Sequence, residues 1–537
     1  MRSTGVGNVA AIMTFLRAAM TRRVDVVGIF DSNGAQATIT GHPEGQAMAL
    51  ATIFGAYGTA FVPGNAAAPY ASGIAGHTAG ATSGASVDAN FTAIKFPAVS
   101  VVDGSTVPWS NFDWQNTMTD AASGYFTIEH RFPLDLYGKI EYCPVFWRPQ
   151  TGGMTKWRPG IQDYHAAGTA SFYQLYNAPS DLAMSAVPSD GISEERWTIN
   201  RGVVFDLTNT TNPAGTINYQ GIGLQFRPHR YNAAEGAMDG TNTCGILGHR
   251  VCDAEKFHGI AYSTVYVFGG KPTRAASFDF CGISGSGGVT DAALAAYLKG
   301  LTRAQRDANG NQLPPMVLFQ IIEGGNDAGD TGTLGALAAN KSLLTTDGTY
   351  RSATEQANAG NTATGYYNNT VTIIRRIRYV WENVLGYSGG NLFFLIGCYH
   401  PQSPNISAAQ FSFVRTIMPT GMASIAASER NVCYVDGYQL GSYAEWGIVN
   451  GAKTAGTGVD GTDFITAGAP SISSTTSPFT AVAHMPWARS PNNEDAHMNQ
   501  AGYINWGIRT WGAIMDAARN TGALITPRPR PGRVRAR

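Results

Sequence analysis

The chain has little charge and no excess of either sign: Lys+Arg and Asp+Glu each number 37, the formal net charge is +0, and charged residues make up 14% of the sequence. With no global field to attract a polyanion, nucleic acid is not expected as a partner. No run approaches the ~20 consecutive apolar residues that cross a bilayer, so no membrane span is expected either. The stretch from Val9 to Met20 is apolar but broken by Thr14 and Arg17, and it reads as an amphipathic helix rather than a signal peptide. Export would then need another route, such as release with a virus particle. Cysteine is scarce: Cys143, Cys244, Cys252, Cys281, Cys398 and Cys433 are the full set, and none forms the close pairs of a structural zinc site. Cys398 and Cys433 sit in apolar, strand-like runs and read as buried thiols. Cys244 and Cys252 are near enough in sequence to close a disulfide, with buried thiols as the alternative. There is no His-Glu-x-x-His, no glycine-rich phosphate loop and no dinucleotide fingerprint followed by a suitable acid, so neither metal nor cofactor is expected. No internal repeat of fixed period is present.

What the sequence does have is length, glycine and alternating strand and helix patterns. At 537 residues it exceeds the size at which single cores usually stop growing. Residues 24–30, Val-Asp-Val-Val-Gly-Ile-Phe, form a buried strand that stops at the turn Asp31-Ser32-Asn33-Gly34. Residues 44–57 look helical, and the Gly, Ala and Ser-rich stretch of 62–89 reads as a linker. From 90 to 275 short alternating runs punctuated by Gly, Pro and Asn predict a β-rich insertion, a sandwich or jelly roll. It is dense in aromatics, among them Trp109, Trp114, Trp147, Trp157 and Trp197.

After residue 280 the pattern alternates again. Strands are expected at 316–322, 392–398 and 432–435, and helices at 371–384, 408–427 and 500–518. That order predicts an α/β fold with a parallel sheet covered by helices on both faces, and the first strand must join the same sheet. One domain is thus expected in two pieces, 1–61 and 276–525, with residues 526–537 as a basic Pro/Arg tail. Five arginines in the last 11 positions cannot build a core, and they suit docking on a neighbouring subunit as well as simple solvation.

Functional groups in an open parallel sheet gather at the carboxyl ends of the strands. Four such places carry distinctive residues: Asp31-Ser32-Asn33, Gly282-Ile283-Ser284-Gly285, Gly324-Gly325-Asn326-Asp327, and Glu494-Asp495-Ala496-His497. In type and chain order these blocks resemble those of the SGNH, or GDSL-like, hydrolases. The resemblance covers residues 24–34 and about 280–520 and leaves the middle unmatched. It implies a flavodoxin-like three-layer α/β/α domain and serine esterase chemistry without a cofactor. Ser32 would be the nucleophile and His497 its general base. The backbone N–H groups of Ser32 and Gly285 and the side-chain amide of Asn326 would form the oxyanion hole.

Those roles suit the residue types. A serine hydroxyl needs an adjacent base to become nucleophilic. Each preorganised oxyanion donor typically contributes a rate factor of about 100 to 1000. Two positions depart from the family pattern: Phe30 stands where Gly is usual, and Glu494 where Asp is usual three residues before the histidine. Glu494 or Asp495 is therefore the acid that orients His497, unless Ser32 and His497 act as a dyad. The expected substrate is an ester, with O-acetyl groups on a glycan preferred because of the aromatic-rich insertion. The alternative from another class is a structural or receptor-binding virion protein, a phage tail or capsid-associated component, with an auxiliary or degenerate hydrolase domain, whose tail would contact virion subunits or other copies of the chain.

Overall fold

The computed structural model describes residues 5–30, 244–266, 291–322, 363–397, 418–440 and 500–521 continuously. It also describes residues 46, 49, 50, 53 and 54, and separate strands between 56 and 229 and at 448–449 and 463–464. Six strands lie parallel: β1 (Arg23–Phe30), β2 (Ala56–Pro63), β3 (Gly259–Tyr266), β4 (Val317–Ile322), β5 (Leu392–Gly397) and β6 (Val432–Val435). Their order across the sheet is β2-β3-β1-β4-β5-β6. With β2 set aside, the other five, counted in chain order, read 2-1-3-4-5, the flavodoxin-like order. Val6–Gly7 adds a short antiparallel edge beside β6.

The strands are apolar on both faces because helices cover both faces. Val27 and Ile29 of β1, Phe319 and Ile321 of β4, and Phe394 and Ile396 of β5 point into one core. Three helices close it: α2 (Asp291–Thr302) through Leu294 and Leu298, α3 (Ala363–Tyr379) through Ile373 and Ile377, and α4 (Met418–Ser428) through Met422 and Ile425. The alternate residues Val24, Val26, Leu318, Phe393 and Leu395 point the other way. There they meet α1 (Met13–Ala19), the helical positions Ala49, Leu50 and Phe54, and α5 (Gln500–Asn520), which brings Trp511 and Ile514. The described residues therefore form three layers, α/β/α, around a predominantly parallel sheet.

The helices return the chain to the amino edge of the sheet. Just beyond α2, the Ala304 carbonyl accepts from Nη1 of Arg23, the first residue of β1. Thus α2 runs against the strand direction and starts toward the carboxyl edge. The same holds for α5. Its Arg509 donates to the Leu440 carbonyl, 2.8 Å away and just past the carboxyl end of β6, and the helix also contacts the turn Val9–Ile12 at the opposite edge.

Several details differ from the sequence reading. The strand Gly259–Tyr266, read as part of the β-rich stretch, pairs in parallel with β1 along its whole length. The helical stretch expected to reach residue 57 gives way to β2 at Ala56, where alternation too short to be diagnostic was masked by glycine and alanine. Within the range read as a linker, Ser72–Gly73 and His77–Ala79 are paired strands. Helix α2 was not anticipated, although Leu294, Leu298 and Leu301 have helical spacing.

The β-rich stretch continues the central sheet. The free edge of β2 pairs antiparallel with Cys244–Asp253, which in turn pairs with Lys139–Trp147 and Trp114–Met118. A second antiparallel array joins Lys156–Tyr164, Gly223–His229, Ile128–Arg131 and their neighbours. A Cys244–Cys252 disulfide is ruled out. Both residues lie on one strand, eight positions apart, or roughly 26 Å at the usual rise, whereas a disulfide needs Cα atoms within about 7 Å. Cys252 is a buried thiol, as is Cys433.

Candidate active site

The sheet order reverses between β1 and β4. The two strands are register partners from Asp25↔Val317 to Phe30↔Ile322, so they end level with each other. After β1 the chain passes to the helical positions on one face, and after β4 to α3 on the other. A reversal of this kind leaves a crevice outside the carboxyl ends of the two strands, the usual ligand position in open α/β sheets.

The six sequence-predicted site residues, Ser32, Gly285, Asn326, Glu494, Asp495 and His497, lie outside the described residues. The described elements locate the chain ends that lead to them. Ser32 follows the last residue of β1 by two positions, within about 7 Å of chain, and Asn326 follows the last residue of β4 by four. Gly285 precedes α2 by six positions and His497 precedes α5 by three, and both helices start toward the same carboxyl edge. Four segments far apart in sequence thus adjoin elements that open on one edge. The side chains of the tryptophans singled out in the β-rich stretch, and the whole 526–537 tail, also lie outside the described residues.

Beneath that edge the sheet carries a buried polar relay that sequence reasoning missed. Gln320, third from the end of β4, is fully buried in the run Val-Leu-Phe-Gln-Ile-Ile. Its Oε1 accepts from the phenol of Tyr262 on β3 at 2.9 Å, and its Nε2 donates to Oε1 of Gln46 at 3.0 Å. The Tyr262 phenol reaches Gln320 across β1. The β1 residue opposite Gln320 is Gly28, whose lack of a side chain leaves the passage open. Burial pushes the Tyr262 phenol well above its ordinary range. A lone glutamine in an otherwise apolar strand was the available signal, because a buried amide is retained only where its hydrogen bonds are met.

A second polar cluster lies at the opposite, amino edge. Asp25 accepts from Gln305 Nε2 at 2.6 Å, and the same amide nitrogen donates to the Met316 carbonyl at 2.8 Å. Arg23 donates to the carbonyls of Lys256, Ala304 and Asp253. These contacts fasten loops below the sheet and lie away from the crevice. Among the described residues no group of three or more His, Cys, Asp or Glu side chains is arranged to hold a metal ion, and no helix is long and apolar enough to cross a membrane.

No protein-family model and no curated protein matches the chain. Among solved structures, one described as a peptidoglycan O-acetylesterase in action overlays 96% of this chain and 98% of its own, with 11% identity and a TM-score of 0.45. A family 11 carbohydrate-binding module from Clostridium thermocellum overlays 28% of this chain and 76% of its own, with 9% identity and a TM-score of 0.16. The CBM22-1 and GH10 modules of xylanase 10B from the same organism overlay 70% of this chain and 75% of their own, with 10% identity and a TM-score of 0.21. These are loose likenesses.

Proposed function

We propose that the chain is a serine ester hydrolase of SGNH type, with Ser32 as nucleophile and His497 as general base. The observation that carries this reading is the topology. A sheet with the 2-1-3-4-5 order ends its two switch-point strands level, and the Ser32 and Asn326 blocks begin within four residues of those ends. The Gly285 and His497 blocks precede helices that start toward the same edge. The four blocks thus flank elements that end or begin toward one edge of one sheet, which supports the reading.

In this mechanism His497 takes the proton from the Ser32 hydroxyl as Oγ attacks the ester carbonyl. The N–H groups of Ser32 and Gly285 and the Asn326 amide stabilise the oxyanion. Protonated His497 then gives its proton to the leaving alcohol, and an acyl-Ser32 ester remains. Water, deprotonated by His497, hydrolyses that ester and regenerates the serine. Glu494 or Asp495 holds the imidazole in the tautomer this exchange needs.

The preferred substrate class is an O-acetylated glycan, with a lipid or aryl ester as the alternative within the same chemistry. The aromatic-rich β stretch supports the preference, since rings stack on sugar faces and bury apolar area at low entropic cost. The test is turnover of an aryl acetate, together with acetate release from acetylated polysaccharides and labelling by a fluorophosphonate. Modification confined to Ser32 with acetate release is the expected result. Labelling at a different serine, or none alongside no turnover, would overturn the assignment.

A further inference from the structure

β6 is the last of the parallel strands, and its inner edge is taken by β5. The Phe394 N–H of β5 donates to the Asn431 carbonyl at 2.9 Å. By alternation, the backbone groups of residues 431, 433 and 435 face β5, and those of Val432, Tyr434 and Asp436 face outward. An outward row of this kind is a template for another strand unless something blunts it. The run Val-Cys-Tyr-Val holds no charge and no proline to do so, and its residue types favour strand pairing.

The blunting comes from the other end of the chain. Gly7 is the register partner of Tyr434, the Gly5 carbonyl accepts from the Asp436 N–H, and Asn8 Nδ2 donates to the Val432 carbonyl at 2.7 Å. Each of the three outward residues is thus met, two by backbone and the third by a side-chain amide. The same amide donates to the Ala426 carbonyl at 2.9 Å, which ties the segment to α4. A Cβ at position 7 would overlap the Tyr434 ring, so this close approach needs glycine. Gly5 (φ 65°) and Asn8 (φ 55°) both take left-handed conformations, which asparagine accepts more readily than most residues. Those turns end the added strand after Val6 and Gly7, and an edge so short is a poor template in its turn.

We infer that residues 5–8 are an edge guard over a latent interface, and that β6, once uncovered, pairs with β6 of a second copy of this chain. Antiparallel pairing about a two-fold axis at Tyr434 is self-complementary. It sets Tyr434 opposite its own counterpart, an aromatic pair of the kind that stabilises adjacent strands. It sets Asp436 opposite Val432, so no like charges face each other. Every outward residue regains a backbone partner, and this self-match selects a second copy as the occupant.

The test removes residues 1–8 from the otherwise full chain and follows it beside the parent by sedimentation equilibrium and hydrogen exchange. A species of twice the parent's mass should appear as concentration rises, with the Tyr434 and Asp436 amides exchanging as slowly in it as in the parent. The parent's mass at every concentration overturns the latent interface, and so does growth into larger aggregates without a dimer. A dimer in which those two amides exchange about fivefold faster or more, the worth of one net hydrogen bond, puts the contact elsewhere and overturns the role of β6.

If the shortened chain does not fold, as judged by circular dichroism, Asn8→Ala takes its place. That substitution withdraws one amide from the Val432 and Ala426 carbonyls. Exchange at Tyr434 and Asp436 should rise about fivefold at low concentration and slow again as concentration is raised. Unchanged exchange overturns the guard, and a rise that concentration does not reverse overturns the pairing.

Discussion

Arg23 and Glu141 approach to 3.8 Å with their side chains almost wholly enclosed, though one opens the central strand β1 and the other lies on Lys139–Trp147 in the β-rich stretch. Glu141 is also paired with Arg306, on the loop that leads into β4. The β-rich stretch is thus joined to the parallel sheet in two ways, through the strand ladder that runs from β2 and through a buried carboxylate between two guanidinium groups. A unit that merely hung on a linker would have needed neither.

Removing that carboxylate is expected to destabilise the whole assembly. Glu141→Gln keeps the side-chain volume but removes the carboxylate that Arg23 and Arg306 share, and breaking a buried pair from one side costs about 3 to 5 kcal/mol. The lower end is expected, because Arg23 retains its carbonyl acceptors. Urea unfolding followed by tryptophan fluorescence should show one transition with its midpoint moved down. A midpoint equal to that of the parent would mean that Glu141 contributes nothing to cohesion.

Ser32→Ala should abolish aryl acetate turnover while leaving the far-UV circular dichroism spectrum intact. Loss of a nucleophile costs several orders of magnitude in kcat, on the order of 10⁶ where the triad acts as a unit. Residual turnover within tenfold of the parent would exclude Ser32 from the chemistry.

Of the two acids near His497, Glu494→Gln should lower kcat more than Asp495→Asn, since only Glu494 stands three residues before the histidine as in the resembled pattern. The reverse ranking moves the role to Asp495. Small and equal effects point to a Ser32–His497 dyad. Steady-state kinetics of the two variants decides.

Cys433 should resist alkylation in the native protein. It is enclosed in β6, its thiol lies 3.2 Å from the Gly7 carbonyl, and burial pushes its pKa up to about 12. At pH 8 the group is protonated, and the thiolate, which is the nucleophile, is almost absent. Mass spectrometry after maleimide treatment should find Cys433 unmodified until denaturant is added. Labelling at the parent's native pH would mean that the β6 edge opens readily.

The parallel strands were legible because burial on both faces demands unbroken apolar runs. Val-Asp-Val-Val-Gly-Ile-Phe, Val-Leu-Phe-Gln-Ile-Ile and Leu-Phe-Phe-Leu-Ile-Gly all became strands where expected, within a residue at each end. Helix α5 was equally plain from its periodic apolar face. The strand β2 and the membership of β3 were not legible, since a strand's neighbours are chosen by partners distant in sequence and leave no mark in its own residues.

What the sequence alone determined is the set of buried runs, the order of the chemical blocks along the chain and the absence of any charge or apolar stretch long enough to dictate another class. Local periodicity and residue chemistry are enough for those. Only the tertiary structure decided that β1 and β4 lie side by side in level register, that Gly28 opens a path for Tyr262 to Gln320, and that Arg23 and Glu141 meet across 118 positions. Each of these depends on strands brought together by the burial of both sheet faces, a collective balance that no single segment encodes.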